Sequence, residues 1–136
     1  MRAVLDVNVL ISAVLAPNGS PARIVSAWLD GRFELVISIQ LLAELERTMN
    51  YPKLRDRIGS HEATQLLEFL HRGAELIEDP RNPLALSPDP DDDYLIALAR
   101  VANALLVSGD GHLLGLADSL PIYSPSSFLM LIDGTL

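Results

Sequence analysis

The feature that most constrains the fold is an alternation of short apolar segments with amphipathic segments of helical period. The apolar segments predict strands at residues 2–6, 33–37, 74–78, 104–108 and 120–123. Because parallel strands need crossover helices, this order predicts a mostly parallel, about five-stranded sheet with helices on both faces. Pro121 places the fifth strand at an edge. The expected fold is an α/β protein, a three-layer α/β/α sandwich, and 136 residues suit a single domain, residues 1–136.

Four aspartates are crowded in front of the helix predicted to begin near residue 92: Asp89, Asp91, Asp92 and Asp93. Asp91 and Asp92 fall where the N-cap and first turn are expected, and Asp93 falls just inside the helix. Helix capping, at about 0.3–1 kcal/mol each, accounts for one or two of these acids. Four mutually repelling carboxylates require a positive charge nearby, which a bound divalent cation would supply.

The predicted topology brings three more acids to the same place. Asp6 ends the first strand, Asp110 follows the fourth, and Glu44 lies one and a half turns into the helix after the second. Each has an ordinary alternative: Asp6 as a helix cap, Glu44 as a solvent-facing acid, and Asp110 in an Asp-Gly turn. The carboxyl ends of parallel strands share one edge, so these acids are expected to converge. Carboxylate oxygens select hard cations such as Mg²⁺ or Mn²⁺, which can act on a phosphodiester.

The net charge of −8 lies in the carboxyl-terminal half of the chain. Residues 1–72 contain eight acids and eight bases, whereas residues 73–136 contain ten acids and only Arg81 and Arg100. This acidic half disfavours simple electrostatic binding of nucleic acid or membranes and fits a metal ion or a basic partner. Cysteine, a signal peptide and a membrane-spanning apolar run are all absent from the sequence, so a cytoplasmic protein is expected.

Five segments in fixed order carry a family resemblance: Leu5–Leu10, Pro17–Arg23, Phe33–Ser38 with Leu41–Leu45, Asp89–Asp93 with Leu95–Ala99, and Leu106–Asp110. Each segment is weak evidence alone, but together they span nearly the whole chain. The pattern resembles the PIN-domain nucleases, in particular the VapC-like branch of ribonuclease toxins from toxin–antitoxin pairs. The resemblance implies an α/β/α sandwich and a Mg²⁺- or Mn²⁺-dependent endoribonuclease that hydrolyses RNA. It also implies an antitoxin protein as partner and a homodimer.

Carried over by position, the resemblance implies a catalytic, metal-binding quartet of Asp6, Glu44, Asp93 and Asp110, with Asp92 as the alternative to Asp93. It assigns supporting roles to two polar residues, Asn8 and Ser108. The family often has a further acid two residues after Asp110, where this chain has His112. That histidine is open to four interpretations: a weaker ligand, a substrate contact, a proton carrier or a surface residue.

Candidate RNA contacts are the basic residues Arg23, Lys53, Arg55 and Arg57, together with His112. Lys53, Arg55 and Arg57 form the only concentrated basic patch of the sequence, and a solvated connection is the alternative interpretation of that patch.

Two other classes of protein fit the sequence less well than a nuclease does. A dehalogenase-like phosphatase needs an acid at position 8 and a late lysine, and a receiver domain needs the same lysine, but Lys53 is the only lysine. A catalytically silent PIN scaffold that acts through protein contacts is the main alternative.

Overall fold

The computed structural model describes residues 1–134. Its sheet consists of β1 (Arg2–Leu5), β2 (Glu34–Ile37), β3 (Glu75–Leu76), β4 (Leu105–Val107) and β5 (Ile122–Tyr123). The strand order is β3-β2-β1-β4-β5, and all four pairings are parallel. The predicted five-stranded α/β fold is therefore confirmed, including the edge position of β5.

The helices are α1 (Val7–Leu15), α2 (Ser20–Leu29), α3 (Ile39–Met49), α4 (Pro52–Arg55), α5 (Ser60–Gly73), α6 (Asp93–Val101), α7 (Gly111–Leu114) and α8 (Pro125–Asp133). A 3₁₀ turn at Pro90–Asp92 leads directly into α6. Helix α1 packs against α2, α3 and α5, α2 packs against α8, and α6 packs on β1 and β4. Within residues 1–134, no helix combines the length and hydropathy needed to cross a membrane.

The core is aliphatic and centres on β1, which lies between β2 and β4. Its residues Ala3, Val4 and Leu5 have no exposed surface. Three successive apolar, buried strand residues are typical of a parallel sheet covered on both faces, because neither side of the strand meets water there. The first residue that follows β1 is Asp6, so the central strand delivers a carboxylate to the edge of the sheet.

Local signals set most helix starts, and a few elements differ from the predictions. Ser38 caps α3, since its hydroxyl accepts a hydrogen bond from Leu41 N at 3.2 Å. Helix α2 has Gly19 as its N-cap, Ser20 as its first residue and a proline, Pro21, in its first turn. Strand β3 is shorter than the predicted residues 74–78, and the basic segment contains the short helix α4.

Candidate active site

Asp6 lies at the carboxyl edge of the sheet, between the end of β1 and the start of α1. Its backbone N–H donates to Val107 O at 2.9 Å, so pairing with β4 continues to this residue. The side chain is only 6% exposed, and its Oδ2 accepts a hydrogen bond from Ser108 Oγ at 2.7 Å. The backbone N–H groups of Val7 and Asn8, in the first turn of α1, also lower the pKa of the carboxylate, although the side chain of Asp6 makes no capping hydrogen bond. The supporting role predicted for Ser108 thus has a geometric basis, because this buried hydroxyl fixes Asp6.

The charge on Asp6 is poorly compensated in spite of these hydrogen bonds. Burial raises the pKa of Asp6 above its ordinary value of 3.8, and the negative charge of Glu44 raises it further. The hydrogen bond from Ser108 lowers the pKa but does not cancel the effect of burial. A nearby positive charge would stabilise the ionised carboxylate.

Glu44 lies on α3 and is half-buried beside Tyr94 of α6. The hydroxyl of Tyr94 donates a hydrogen bond to Glu44 Oε2. Burial, the bond to Glu44 and the charges of Glu44 and Asp6 all raise the pKa of Tyr94 above its ordinary value of 10.0. Tyr94 therefore remains a protonated donor at any physiological pH, and it ties α3 to α6 across the site.

Asp92 and Asp110 bring two more carboxylates to this edge. Burial, followed by the charges of Asp6, Asp110 and Asp89 and a hydrogen bond with Asp110, raises the pKa of Asp92 to about 7. Asp110 also caps α7, because its Oδ2 accepts a hydrogen bond from Leu113 N at 3.3 Å. Its own N–H donates to the hydroxyl oxygen of Ser108 at 3.0 Å. We call Asp6, Glu44, Asp92 and Asp110 the acid cluster.

Asp93 is the neighbour of Asp92, yet its side chain has a different environment. It is 6% exposed, and its Oδ1 accepts hydrogen bonds from the backbone N–H groups of Leu86 at 3.1 Å and Ser87 at 2.8 Å. It also lines a largely apolar cavity of about 350 Å³ between α6 and the preceding loop. Successive residues of a helical segment point about 100° apart, so Asp92 and Asp93 face different parts of the molecule. The structure places Asp92 with the acid cluster and Asp93 against the loop.

Unlike the buried Ser108, the other predicted supporting residue, Asn8, and the candidate substrate contact His112 lie at the surface. Asn8 is exposed in the first turn of α1, directly beside the carboxyl edge. His112 is exposed on α7, two residues after Asp110 and therefore close to the same edge. Both side chains are free to meet a ligand that approaches the acid cluster from solvent.

The basic candidates are more distant in the fold. Arg23 is exposed on α2, in a shallow cleft that it shares with Arg32 and Asp133. The patch at residues 53–57 follows the far end of α3, and Arg55 lines a surface groove of about 600 Å³ between α3 and α5. The patch is exposed at its three basic side chains, Lys53, Arg55 and Arg57.

Two residues of the site were missed by sequence reasoning. Asp79 follows β3 at the same edge, where its Oδ2 accepts a hydrogen bond from Gln40 N at 3.0 Å and its charge acts on Tyr94. Its Oδ1 is buried and has no hydrogen-bond partner within residues 1–134. The rule that placed Asp6 would have found Asp79, because both acids follow strands of a parallel sheet. The sequence pattern did not mark Tyr94 as a site residue, because a tyrosine within an apolar helical pattern is normally a core residue.

The chemistry of the acid cluster suits a hard cation. Within the described part of the chain, none of its carboxylates forms an ion pair with arginine, lysine or histidine. An oxygen-only donor set in which the pKa values of Asp6 and Asp92 are raised matches Mg²⁺ or Mn²⁺, whose charge would relieve the mutual repulsion. No group of three or more histidine, cysteine, aspartate or glutamate side chains in residues 1–134 is already arranged to hold an ion. Cation binding by the cluster would therefore involve side-chain adjustment.

Comparison with known proteins agrees with this geometry. The family model of the PIN domain matches residues 2–112. The chain belongs to the PIN domain family. PIN domains are in general nucleases, and they typically use divalent metal ions. A relative in sequence is the uncharacterized protein MJ1680 of Methanocaldococcus jannaschii, which is 28% identical over 118 residues that cover 87% of this chain and 76% of the relative.

Solved structures share the fold of this PIN domain. VapBC2 from Rickettsia felis, crystallised with a DNA fragment from its promoter, aligns with a TM-score of 0.64 and 17% identity over 91% of this chain and 98% of its own. PAE2754 from Pyrobaculum aerophilum aligns with a TM-score of 0.66 and 16% identity over 98% and 90%. At such identities the likeness establishes the fold alone.

Proposed function

We propose that this chain, as a single PIN domain of residues 1–136, is a divalent-cation-dependent endoribonuclease. The observation that carries the proposal is the acid cluster itself. Four carboxylates from four different parts of the chain share one edge of the sheet, and the raised pKa values of Asp6 and Asp92 report charge that the protein does not neutralise. A fold that only needed stability would have no reason to retain such repulsion.

Each side chain contributes a separate part of the chemistry. Ser108 holds Asp6 in one orientation, and Asp110 is held by the backbone of α7. Together with Glu44 and Asp92 they would hold Mg²⁺ or Mn²⁺. Such an ion, when bound, activates a water molecule and stabilises the negative charge that develops on the phosphodiester. His112 and Asn8 are candidates to contact the substrate backbone, because both are exposed near this edge.

We assign the third acid of the quartet to Asp92 rather than to Asp93. The charge of Asp92 interacts with Asp6 and Asp110, whereas Asp93 accepts two backbone hydrogen bonds from the loop before α6. If Asp93 Oδ1 turned to a metal ion, it would leave two partly buried N–H groups without their acceptor, at a cost of up to about 1–3 kcal/mol for each group.

The resemblance to VapC-like toxins and the fold shared with VapBC2 support a role as the toxin of a toxin–antitoxin pair. On this proposal the protein acts in the cytoplasm, as a homodimer. The acidic carboxyl-terminal half favours a basic antitoxin segment as the partner. The basic side chains Arg23, Lys53, Arg55 and Arg57 are candidates for contacts with more distant RNA phosphates.

The test is cleavage of a mixed RNA pool by the purified protein with Mg²⁺, with Mn²⁺ or with EDTA. Asp6→Asn is compared with Asp118→Asn, which changes an exposed aspartate outside the acid cluster. We expect cleavage that requires metal, is lost in folded Asp6→Asn and is retained in Asp118→Asn. Metal binding without cleavage would point to a narrow substrate. Absence of metal binding would overturn the proposal and leave the silent scaffold.

A further inference from the structure

Tyr94 is the one aromatic side chain that contacts the acid cluster through a hydrogen bond within residues 1–134. It is 5% exposed, and its hydroxyl reaches Glu44 Oε2. Helix α6, which carries Tyr94, packs on β1 and β4, whereas α3, which carries Glu44, follows β2. The bond therefore joins a rigid part of the core to an acid on a different helix.

The hydrogen bond satisfies the buried hydroxyl of Tyr94 and fixes the orientation of the Glu44 side chain. A buried phenol hydroxyl needs an acceptor, and the carboxylate of Glu44 supplies one. Glu44 has a long side chain with rotamer freedom, and the charge of Asp6 repels it. Without a donor at Oε2, the glutamate would gain by turning toward water. With the donor in place, Oε1 is left available for another ligand.

We propose that Tyr94 is a positioning residue that holds Glu44 ready to bind the divalent cation. The inference rests on the function proposed above, because it assumes that the acid cluster binds metal. Partners that hydrogen-bond a metal ligand affect affinity strongly, and their loss typically weakens metal binding by about 10–100-fold. Tyr94→Phe removes only the hydroxyl and keeps the buried ring, so we expect a loss of affinity in that range with the fold retained.

The experiment is calorimetric titration of Mn²⁺ alone into the full chain, without RNA. Four proteins form a double-mutant cycle: wild type, Tyr94→Phe, Glu44→Gln and the double variant. Tyr51→Phe, which changes a tyrosine with 50% exposure on the segment before α4, is the matched control. Thermal unfolding in EDTA verifies that each variant is folded before titration.

We expect Tyr94→Phe to weaken Mn²⁺ binding by about tenfold or more, Tyr51→Phe to leave it unchanged, and Tyr94→Phe to have no further effect once Glu44 is Gln. Unchanged or tighter binding by Tyr94→Phe would overturn the inference, as would an equal loss in the Glu44→Gln background. If the wild type binds Mn²⁺ and only Tyr94→Phe behaves unexpectedly, the proposed function survives and the positioning role fails. A wild type that does not bind Mn²⁺ overturns both.

Discussion

The amino edge of the sheet, where the parallel strands begin, and the carboxyl edge, where they end, give their acids opposite electrostatic environments. At the amino edge, Arg2 at the start of β1 contacts Glu75, lies with its Nε 3.5 Å from Glu34 Oε2, and donates to Ala102 O at 2.6 Å. At the carboxyl edge, none of the acid cluster has an arginine, lysine or histidine partner within the described residues. One strand, β1, thus has an arginine at one end and an uncompensated aspartate at the other.

The difference separates acids that stabilise the fold through an arginine partner from acids whose charge no basic side chain compensates. A carboxylate beside an arginine is more stable ionised, and its removal leaves the arginine unpaired. A carboxylate beside other carboxylates raises the energy of the folded protein, and its removal relieves that repulsion. Substitutions at the two edges should therefore move stability in opposite directions, and only one edge should affect cleavage.

The largest effect is expected for Asp92→Asn at the carboxyl edge. Losing a cation ligand removes several kcal/mol of transition-state stabilisation, so RNA cleavage should fall by about 10²–10³-fold. Stability in EDTA at pH 8 should not fall, because one repelling charge has gone. Asp91→Asn, an exposed neighbour, is the control and should cleave normally. Normal cleavage by Asp92→Asn would remove Asp92 from the site.

Asp93→Asn is expected to have a smaller effect, on the stability of the fold rather than on metal binding. Its Oδ1 accepts two backbone hydrogen bonds. Such bonds contribute about 1.5–3 kcal/mol each when the acceptor is charged, but only about 0.5–1.5 kcal/mol each when it is the neutral amide oxygen of Asn. We expect urea denaturation to show a loss of about 2–3 kcal/mol, while Mn²⁺ binding by the folded fraction is largely kept. The reverse result, full stability with loss of Mn²⁺ binding, would return Asp93 to the metal site.

Arg2→Ala probes the amino edge. The arginine is half-buried and serves two glutamates and a carbonyl, so we expect a loss of about 1–2 kcal/mol in the free energy of unfolding. Cleavage per folded molecule should match the wild type, because the acid cluster lies at the opposite edge. Reduced Mn²⁺ affinity in this variant would show that the two edges are coupled.

The smallest effect is the pH dependence of stability in EDTA. The pKa of Asp92 is about 7 in the folded protein against an ordinary value of 3.8, so the folded state binds this proton more tightly. Its contribution to stability is complete below about pH 4 and is lost as the pH rises through 7. For a half-exposed group we expect roughly 1 kcal/mol, measured by urea denaturation between pH 5 and 8. Asp92→Asn should flatten this profile, and an unchanged profile would contradict the assigned environment.

Periodicity and strand-end logic were sufficient to predict the fold and the edge at which the acids gather. They failed where a few residues decide geometry. Helix α4 spans only Pro52–Arg55, too short for a helical period to show. Asp92 and Asp93 cannot be distinguished by spacing, because the 3₁₀ turn at Pro90–Asp92 sets which one faces the cluster. Tyr94 depends on a contact between two distant helices, which no local pattern encodes.

The strand order has a consequence for biosynthesis. Strand β4 pairs beside β1 although about a hundred residues separate them, and Ser108, which fixes Asp6, directly follows β4. A growing chain that ends before Leu105 carries Asp6, Glu44 and Tyr94 but lacks both Ser108, which fixes Asp6, and Asp110 of the acid cluster. If the protein cleaves RNA, its nascent chain has an incomplete acid cluster, and should therefore be inactive, until the segment that contains Ser108 and Asp110 has been made.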